Sequence, residues 1–434
     1  YPPGASLPPP VPHPRLSVDR DNQIRLSRSL GLRPDRPAVA LMPGTGEYAL
    51  AMRPVTADQG LGARQALNTS SGAGGTDAAL ALEDIVAAGR DSRLKARTPA
   101  PLRRAVDYEI EGRRYSADLY LPGEPVRAGI VLVPGVVAAG KDDARLVALA
   151  STLARLQFAV LVPDLRGLRE YRVRAANVRE VADAFRYLVA RGGLAPQGRA
   201  GIAGFSYGAG PVLLAAQEPD IRAQVRFVRT LGGYYDLRSI VGYFTTGYYR
   251  EPGGKRWRYQ RPNPYIKWVF SLSNADLLQS AEDRALLQTL ADQARSGADP
   301  GAVPLEALQP DARALYALLS NQDPERVAAL IDQLSPRIRA ELYGIDPASQ
   351  DLSQLHAHAI LVHGRGDTMI PYTESVALAA ALPAEQVQLF LIEGFAHVDV
   401  QPQRSDIPQL LAAMRALLAQ RAPANAEQNS VQEW

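Results

Sequence analysis

Two spacings of apolar residues alternate along the middle and end of the chain. Short, mainly apolar runs typical of buried strands are each followed by segments with apolar residues three and four positions apart, as in helices. Strands that alternate with helices in this way predict right-handed βαβ units and a mostly parallel sheet. The strand-like runs are Ala128–Val133, Phe158–Val162, Arg199–Ala203, Val225–Leu231, Ala359–Val362 and Val387–Ile392.

The helices of this series are predicted from the same spacing. They cover Asp142–Leu156, Val178–Ala190, Gly208–Gln217, Tyr372–Leu382 and Ile407–Arg421. Two further strands, Ala105–Glu111 and Arg114–Leu121, precede the series, and the tight turn at Glu111-Gly112 predicts that they form a hairpin.

The alternation stops between Val225–Leu231 and Ala359–Val362. From residue 234 to 355 no buried strand is predicted, and helical spacing occurs at Ala281–Ser296, Pro310–Ser320 and Pro324–Leu334. A segment of this length is too long for a bare loop in a compact domain. It therefore predicts a mainly helical cap inserted between the sixth and seventh strands of one sheet.

These changes of pattern divide the chain into five segments. Residues 1–103 form an N-terminal extension that starts with seven prolines in fourteen residues and is expected to be partly disordered, with one helix at Asp77–Gly89. The core is predicted in two parts, 104–233 and 356–423, separated by the cap at 234–355. A polar tail, 424–434, ends the chain.

Composition narrows the classes of function. The 434 residues contain no cysteine, which excludes thiol nucleophiles, disulfides and cysteine-bound metals. The net charge is only +3, and the basic aromatic stretch Tyr248–Arg261 is interpreted as a solvated loop, so no nucleic-acid partner is expected. No apolar run reaches about 18 residues, so no integral membrane span is expected. The compartment stays open between the cytoplasm and secretion after removal of an unseen N-terminal signal.

The pentapeptide Gly204-Phe205-Ser206-Tyr207-Gly208 is the strongest chemical signal. It follows a strand-like run and opens a helical one. A sharp strand-to-helix turn of this kind lifts the serine hydroxyl above the sheet, and the glycines give the neighbouring backbone room to pass. The competing interpretation is a glycine-rich turn with an inert serine. We expect Ser206 to be a nucleophile.

A serine nucleophile needs a base, and the base needs an acid that orients it. Among five histidines, His397 lies between the last strand and the last helix, whereas His363 is expected to shape a turn. Asp367 follows the strand Ala359–Val362, at the edge where parallel sheets carry their sites. Asp236 is the alternative acid, and Asp164 is interpreted as structural.

Acyl transfer also needs N–H donors for the oxyanion of the tetrahedral intermediate. One donor is expected from the backbone of Tyr207, the residue after the nucleophile. The other should come from the loop after Ala128–Val133, where Val136 is the first choice and Val137 the second.

The sequence resembles the α/β-hydrolase superfamily, and within it the capped esterase and lipase-like serine hydrolases. Three elements carry the resemblance: Gly204–Gly208, the acid loop Gly364–Pro371, and Gly394–His397, in the order nucleophile, acid, histidine. The resemblance covers residues 104 to 421. It departs from the family at Pro134-Gly135, where many relatives have His-Gly.

The resemblance implies a hydrolase of carboxylic esters that acts through an acyl-enzyme on a small-molecule ester, with no cofactor or metal. Two alternatives stay open. The same triad could cleave amides or peptides or transfer an acyl group to an alcohol, or the chain could be a catalytically silent binding protein. The sequence leaves the substrate, the substrate-binding residues and the oligomeric state unknown.

Overall fold

A computed structural model describes residues 73–296, 305–397, 399–400 and 403–422. The chain divides into two units, Tyr1–Glu47 and Tyr48–Trp434, and every described residue lies in the second. The proline-rich start and the polar tail, for which predictions were made above, lie outside the described residues.

Eight strands form one sheet, and seven of them run in the same direction. The strands are β1 (Leu102–Ile110), β2 (Arg113–Leu121), β3 (Ala128–Val133), β4 (Phe158–Pro163), β5 (Ala200–Phe205), β6 (Val225–Leu231), β7 (His358–Gly364) and β8 (Val387–Ile392). Their order is β1-β2-β4-β3-β5-β6-β7-β8, and only β2 is antiparallel to its neighbours.

Helices cover both faces of the sheet. In chain order, the helices of the described residues, including those of an insertion between β6 and β7, are α1 (Ala73–Ala87), α2 (Arg93–Arg97), α3 (Ala144–Arg155), α4 (Arg166–Arg169), α5 (Ala176–Val189), α6 (Ala209–Ala215), α7 (Leu237–Thr246), α8 (Pro264–Ala275), α9 (Ala281–Ser296), α10 (Pro310–Leu319), α11 (Val327–Asp332), α12 (Pro336–Tyr343), α13 (Thr373–Ala381) and α14 (Ile407–Leu418).

Strands β3 and β4 are apolar throughout because the sheet is covered on both sides. Every residue of β3 and β4 is buried, as expected for parallel strands between two helical layers. Alternate residues of one strand supply the two cores. Val131 packs in the core with α5, α6 and α13, and Ile130 packs in the core with α1, α3 and α14.

The predicted extension contains two helices that are part of the core. Helix α1 packs on α14, and Arg421 forms an ion pair with Asp77 at 2.7 Å. The buried carboxylate of Asp84 accepts hydrogen bonds from Ser92 Oγ and Thr152 Oγ1, which joins α1 to α2 and α3. Residues 73–97 thus complete one face of the sheet. The helix predicted at Asp77–Gly89 is present, but it starts earlier, at Ala73, and ends at Ala87.

Among the residues that the structure describes between β6 and β7, there are six helices and a small hairpin. Helices α7 to α12 have a core of their own, in which residues such as Leu315 and Ile331 are buried. Tyr248–Tyr249 and Arg258–Tyr259 form a two-stranded ribbon between α7 and α8. We call residues 237–343 the insertion. The sequence patterns did not identify α7, α8 or α12, although Asn263-Pro264 is a typical helix start and Asn263 caps α8.

Candidate active site

Ser206 lies in the turn between β5 and α6, and its backbone has a φ of +51°. Left-handed backbone is unfavourable for a residue with a side chain, and a nucleophile in a strand–turn–helix motif is one place where it occurs. A Cβ at Gly204 would lie 2.5 Å from Gly208 O, and one at Gly208 would lie 2.6 Å from Pro134 O. Both positions therefore require glycine, and the turn is the one that the pentapeptide predicts.

The structure brings Asp367 and His397 together from two different loops. Asp367 follows β7 and His397 follows β8, and His397 Nδ1 lies 2.7 Å from Asp367 Oδ2. Both side chains are buried. Since the carboxylate accepts only, Nδ1 carries the proton and donates it to this bond. Nε2 of a neutral His397 is then left with a lone pair, as a general base requires.

Four donors surround the Asp367 carboxylate. Oδ1 accepts the backbone N–H groups of Met369 and Ile370, at 2.8 and 3.0 Å. Oδ2 accepts His397 and also lies 3.3 Å from His363 Nε2. Burial by itself would raise the pKa of Asp367, but the charge of His397 and the hydrogen bonds from both histidines hold that pKa well below its usual range. Asp367 is thus ionised at neutral pH.

Ser206 and the His397–Asp367 pair lie at the same edge of the sheet. Phe205 pairs in register with Leu231 of β6, so Ser206 lies beside Gly232. A Cβ on Gly232 would lie 3.2 Å from His397 Nδ1 and 3.4 Å from Asp367 Oδ2. No hydrogen bond joins Ser206 Oγ to His397 among the residues that the structure describes, and catalytic hydrogen bonds of this kind often tighten only when substrate binds.

The two predicted oxyanion donors belong to segments next to Ser206. Tyr207 follows Ser206 directly, and its side chain is held in the fold with its hydroxyl 3.3 Å from Asn177 Oδ1. Burial raises the pKa of that hydroxyl well above its ordinary value. Val136 follows Gly135, where an added Cβ would lie 3.3 Å from Ser206 Cβ. The loop after β3 therefore runs directly past Ser206.

The insertion contacts the loops on both sides of the site. Tyr265 Oη of α8 donates to Val136 O at 2.7 Å. Thr368 O, next to Asp367, accepts hydrogen bonds from Asn263 N at 2.8 Å and Tyr243 Oη at 3.0 Å. None of these contacts was predicted from the sequence, because they join residues more than 100 positions apart and depend on how the insertion folds back.

The other candidate acids have structural partners. Asp236 caps α7 by accepting the N–H groups of Arg238 and Ser239, and Asp164 forms an ion pair with Arg169 at 3.0 Å. His363 does more than shape a turn, because it contacts Asp367 itself. Its position four residues before the acid, at the end of a buried strand, was the signal that could have indicated this role.

Within the described ranges, no group of three or more histidine and acidic side chains is arranged to hold a metal ion. Nor is any helix in those ranges both long enough and apolar enough to cross a membrane.

No protein-family model matches this sequence, and no curated protein matches it either. Solved structures are similar at low identity. A putative hydrolase from Legionella pneumophila is 14% identical, with 80% of this chain and 96% of that chain covered and a TM-score of 0.48. The 2,6-dihydroxy-pseudo-oxynicotine hydrolase is 14% identical, with 83% and 84% covered and a TM-score of 0.40.

A puromycin-hydrolysing peptidase from Mycobacterium tuberculosis is 17% identical with a TM-score of 0.39; the alignment covers 74% of this chain but only 38% of the peptidase. Likenesses this distant carry no argument about activity. The fold rests instead on the strand order, the single antiparallel strand β2 and the serine turn after β5. The chain has the α/β-hydrolase fold.

Proposed function

We propose that this protein is a serine hydrolase that cleaves carboxylic esters through an acyl-enzyme intermediate. The observation that carries the proposal is the 2.7 Å bond between His397 Nδ1 and Asp367 Oδ2, at the sheet edge where Ser206 stands in a strained turn. An ionised, fully buried carboxylate that orients a histidine beside a strained serine is the arrangement that nucleophilic acyl transfer needs.

The residues then have defined roles. Ser206 Oγ attacks the ester carbonyl while His397 Nε2 takes its proton, and the N–H groups of Tyr207 and Val136 bind the oxyanion. Collapse of the tetrahedral intermediate expels the alcohol, which receives the proton from His397. A water molecule attacks the acyl-enzyme in the same way, with its proton passing to His397, and the carboxylic acid leaves as Ser206 is restored.

The insertion serves as the cap in this proposal. Its contacts with the loops of Val136 and Asp367 support a position over the site, from which it would form much of the substrate pocket. Its aromatic residues suit an apolar acyl or alcohol part. The substrate is therefore expected to be a small-molecule ester selected by α7, α8 and the segment between them.

Hydrolysis of short p-nitrophenyl esters tests the reaction. Ser206→Ala should lower kcat by roughly 10³-fold or more, because only residual catalysis survives the loss of a triad member. Equal rates for the two proteins would remove Ser206 from the mechanism and support a binding protein instead. Parallel assays with p-nitroanilide amides, and with an added acceptor alcohol, separate ester hydrolysis from amide cleavage and acyl transfer.

Two aspartates at strand ends provide a matched test of the acid. Asp367→Ala should lower kcat by about 10³–10⁴-fold, since the histidine loses its orienting partner. Asp236→Ala removes a helix cap and should change stability by about 1 kcal/mol with little change in kcat. A greater loss of kcat at Asp236 would reverse the assignment of the acid.

A further inference from the structure

His363 is a second histidine on the proposed catalytic carboxylate. It is the penultimate residue of β7 and is completely buried. Its Nε2 lies 2.9 Å from Ile370 O and 3.3 Å from Asp367 Oδ2, and its Nδ1 lies 2.7 Å from Ser375 Oγ. The side chain thus joins three segments: the end of β7, the acid loop and helix α13.

The partners fix which ring nitrogen carries a proton. A carbonyl oxygen and a carboxylate both accept, so Nε2 must carry a hydrogen and donate. In the neutral ring, Nδ1 then accepts the hydroxyl hydrogen of Ser375, which is buried as well. Ser375 therefore stabilises the tautomer whose Nε2–H donates to Ile370 O at 2.9 Å, with Asp367 Oδ2 3.3 Å from the same nitrogen.

His363 approaches Asp367 Oδ2, which is the same oxygen that accepts the hydrogen bond from His397. With only His397 as a partner, Oδ2 could leave the imidazole by rotation of the carboxylate group. The N–H groups of Met369 and Ile370 donate to Oδ1, and His363 Nε2, at the end of a buried strand, lies 3.3 Å from Oδ2. Catalytic groups must be held to within about 0.5 Å, which usually requires locked supporting residues.

We propose that His363, set in its tautomer by Ser375, is a positioning residue that orients the Asp367 carboxylate toward His397. This inference rests on the proposed serine-hydrolase function. His363 acts through Asp367 and does not touch the substrate.

Three substitutions of His363 distinguish the effect of its Nε2–H donor from the effect of the space that its ring fills. His363→Gln can place an amide N–H near the position of Nε2, whereas His363→Asn reaches only to the position of Nδ1, toward Ser375. His363→Phe keeps a ring of similar size without nitrogen. We expect Phe and Asn to lower kcat by about 10²-fold with KM changed less than about threefold, and Gln to stay within about tenfold of wild type.

The control for a disturbed core is Thr230→Val on β6. Thr230 is completely buried, its hydroxyl has no hydrogen-bond partner among the described residues, and it lies opposite Leu361 of β7. It should keep the wild-type kcat. Active-site titration with a fluorophosphonate counts competent enzyme, and thermal unfolding shows that each variant is folded.

The outcomes separate this inference from the proposed function. If Ser206→Ala is as active as wild type, the proposed function fails and His363 has nothing to position. If Ser206→Ala is inactive but His363→Phe keeps its kcat, only the inference about His363 fails. Equal kcat losses in the folded Gln, Asn and Phe variants would also overturn it, because the loss would then not depend on the donor.

Discussion

Ser206 has a strained, left-handed backbone, which places its hydroxyl above the sheet. Such strain persists only where the surroundings impose it, at about 1–3 kcal/mol for each residue. Here they impose it from both sides: Gly204 packs against the backbone of Gly208, and Gly208 packs against Pro134 O. The turn cannot relax without moving the end of β3.

Replacing Ser206 should therefore stabilise the fold when the new residue tolerates a positive φ. Ser206→Gly is expected to raise the free energy of unfolding by about 1 kcal/mol relative to Ser206→Ala, because alanine keeps the strain and glycine does not. Both variants lack the hydroxyl and should be inactive. Urea unfolding of the two proteins measures the difference, and a less stable glycine variant would contradict the assigned strain.

At the level of elements, the end of β3 and the start of α6 must approach each other closely. Gly208→Ala should lower the free energy of unfolding by about 2–4 kcal/mol, because the new Cβ would meet backbone atoms that cannot move separately. Gly192→Ala is the matched control, since nothing lies within 4 Å of a Cβ there. If the two variants were equally stable in urea, Gly208 would have room for a Cβ beside the backbone at the end of β3.

The buried side chain of Glu374 holds the backbone of the segment between β6 and α7. Glu374 of α13 accepts the N–H groups of Tyr235 and Asp236, at 3.1 and 2.9 Å. Burial raises its pKa to about 7, with the charge of Asp236 in the same direction and hydrogen bonds from Ser239 and the two backbone groups opposing. The folded protein therefore binds this proton more tightly than the unfolded chain does.

Because Glu374 binds its proton more tightly in the folded protein, the free energy of unfolding should fall as the pH rises. The contribution of Glu374 is fully present below its ordinary pKa of 4.5 and is lost as the pH rises through about 7. Between pH 5 and 8 the free energy of unfolding of the wild type should fall by roughly 2–3 kcal/mol more than that of Glu374→Gln, which does not titrate. Urea titrations of both proteins at each pH give the difference, and parallel curves would refute it.

At the scale of the whole molecule, the sequence predicts the features that depend on residues close together in the chain, such as strands and turns. The patterns around β3, β4 and β7 identify buried strands, whereas only Ile392 of the apolar run in β8 is buried. The pentapeptide at Ser206 identifies the turn. The Asp367–His397 contact follows from strand order, because ends of parallel strands share one edge. The support from His363 and Tyr265 does not follow, since hydrogen-bond partners across loops depend on side-chain placement. Residues 73–97 were also predicted to belong to an extension. Their place in the core depends on packing against α14, which is distant in the sequence.

Tyr265 of the insertion donates a hydrogen bond to the loop that contains Val136, and its hydroxyl can be removed without changing the ring. Tyr265→Phe breaks the bond to Val136 O, a loss of about 1 kcal/mol of restraint on that loop. We expect kcat to fall by about tenfold with little change in KM, because an oxyanion donor acts mainly in the transition state.

Tyr259→Phe is the control, since this tyrosine lies in the same insertion with 63% of its surface exposed. If Tyr265→Phe and Tyr259→Phe have the same kinetics as wild type on p-nitrophenyl esters, the insertion does not act through the Val136 loop. If only Tyr265→Phe loses kcat, the insertion positions the catalytic loop as well as covering the site. Substrate selection and catalysis would then depend on the same helix, α8.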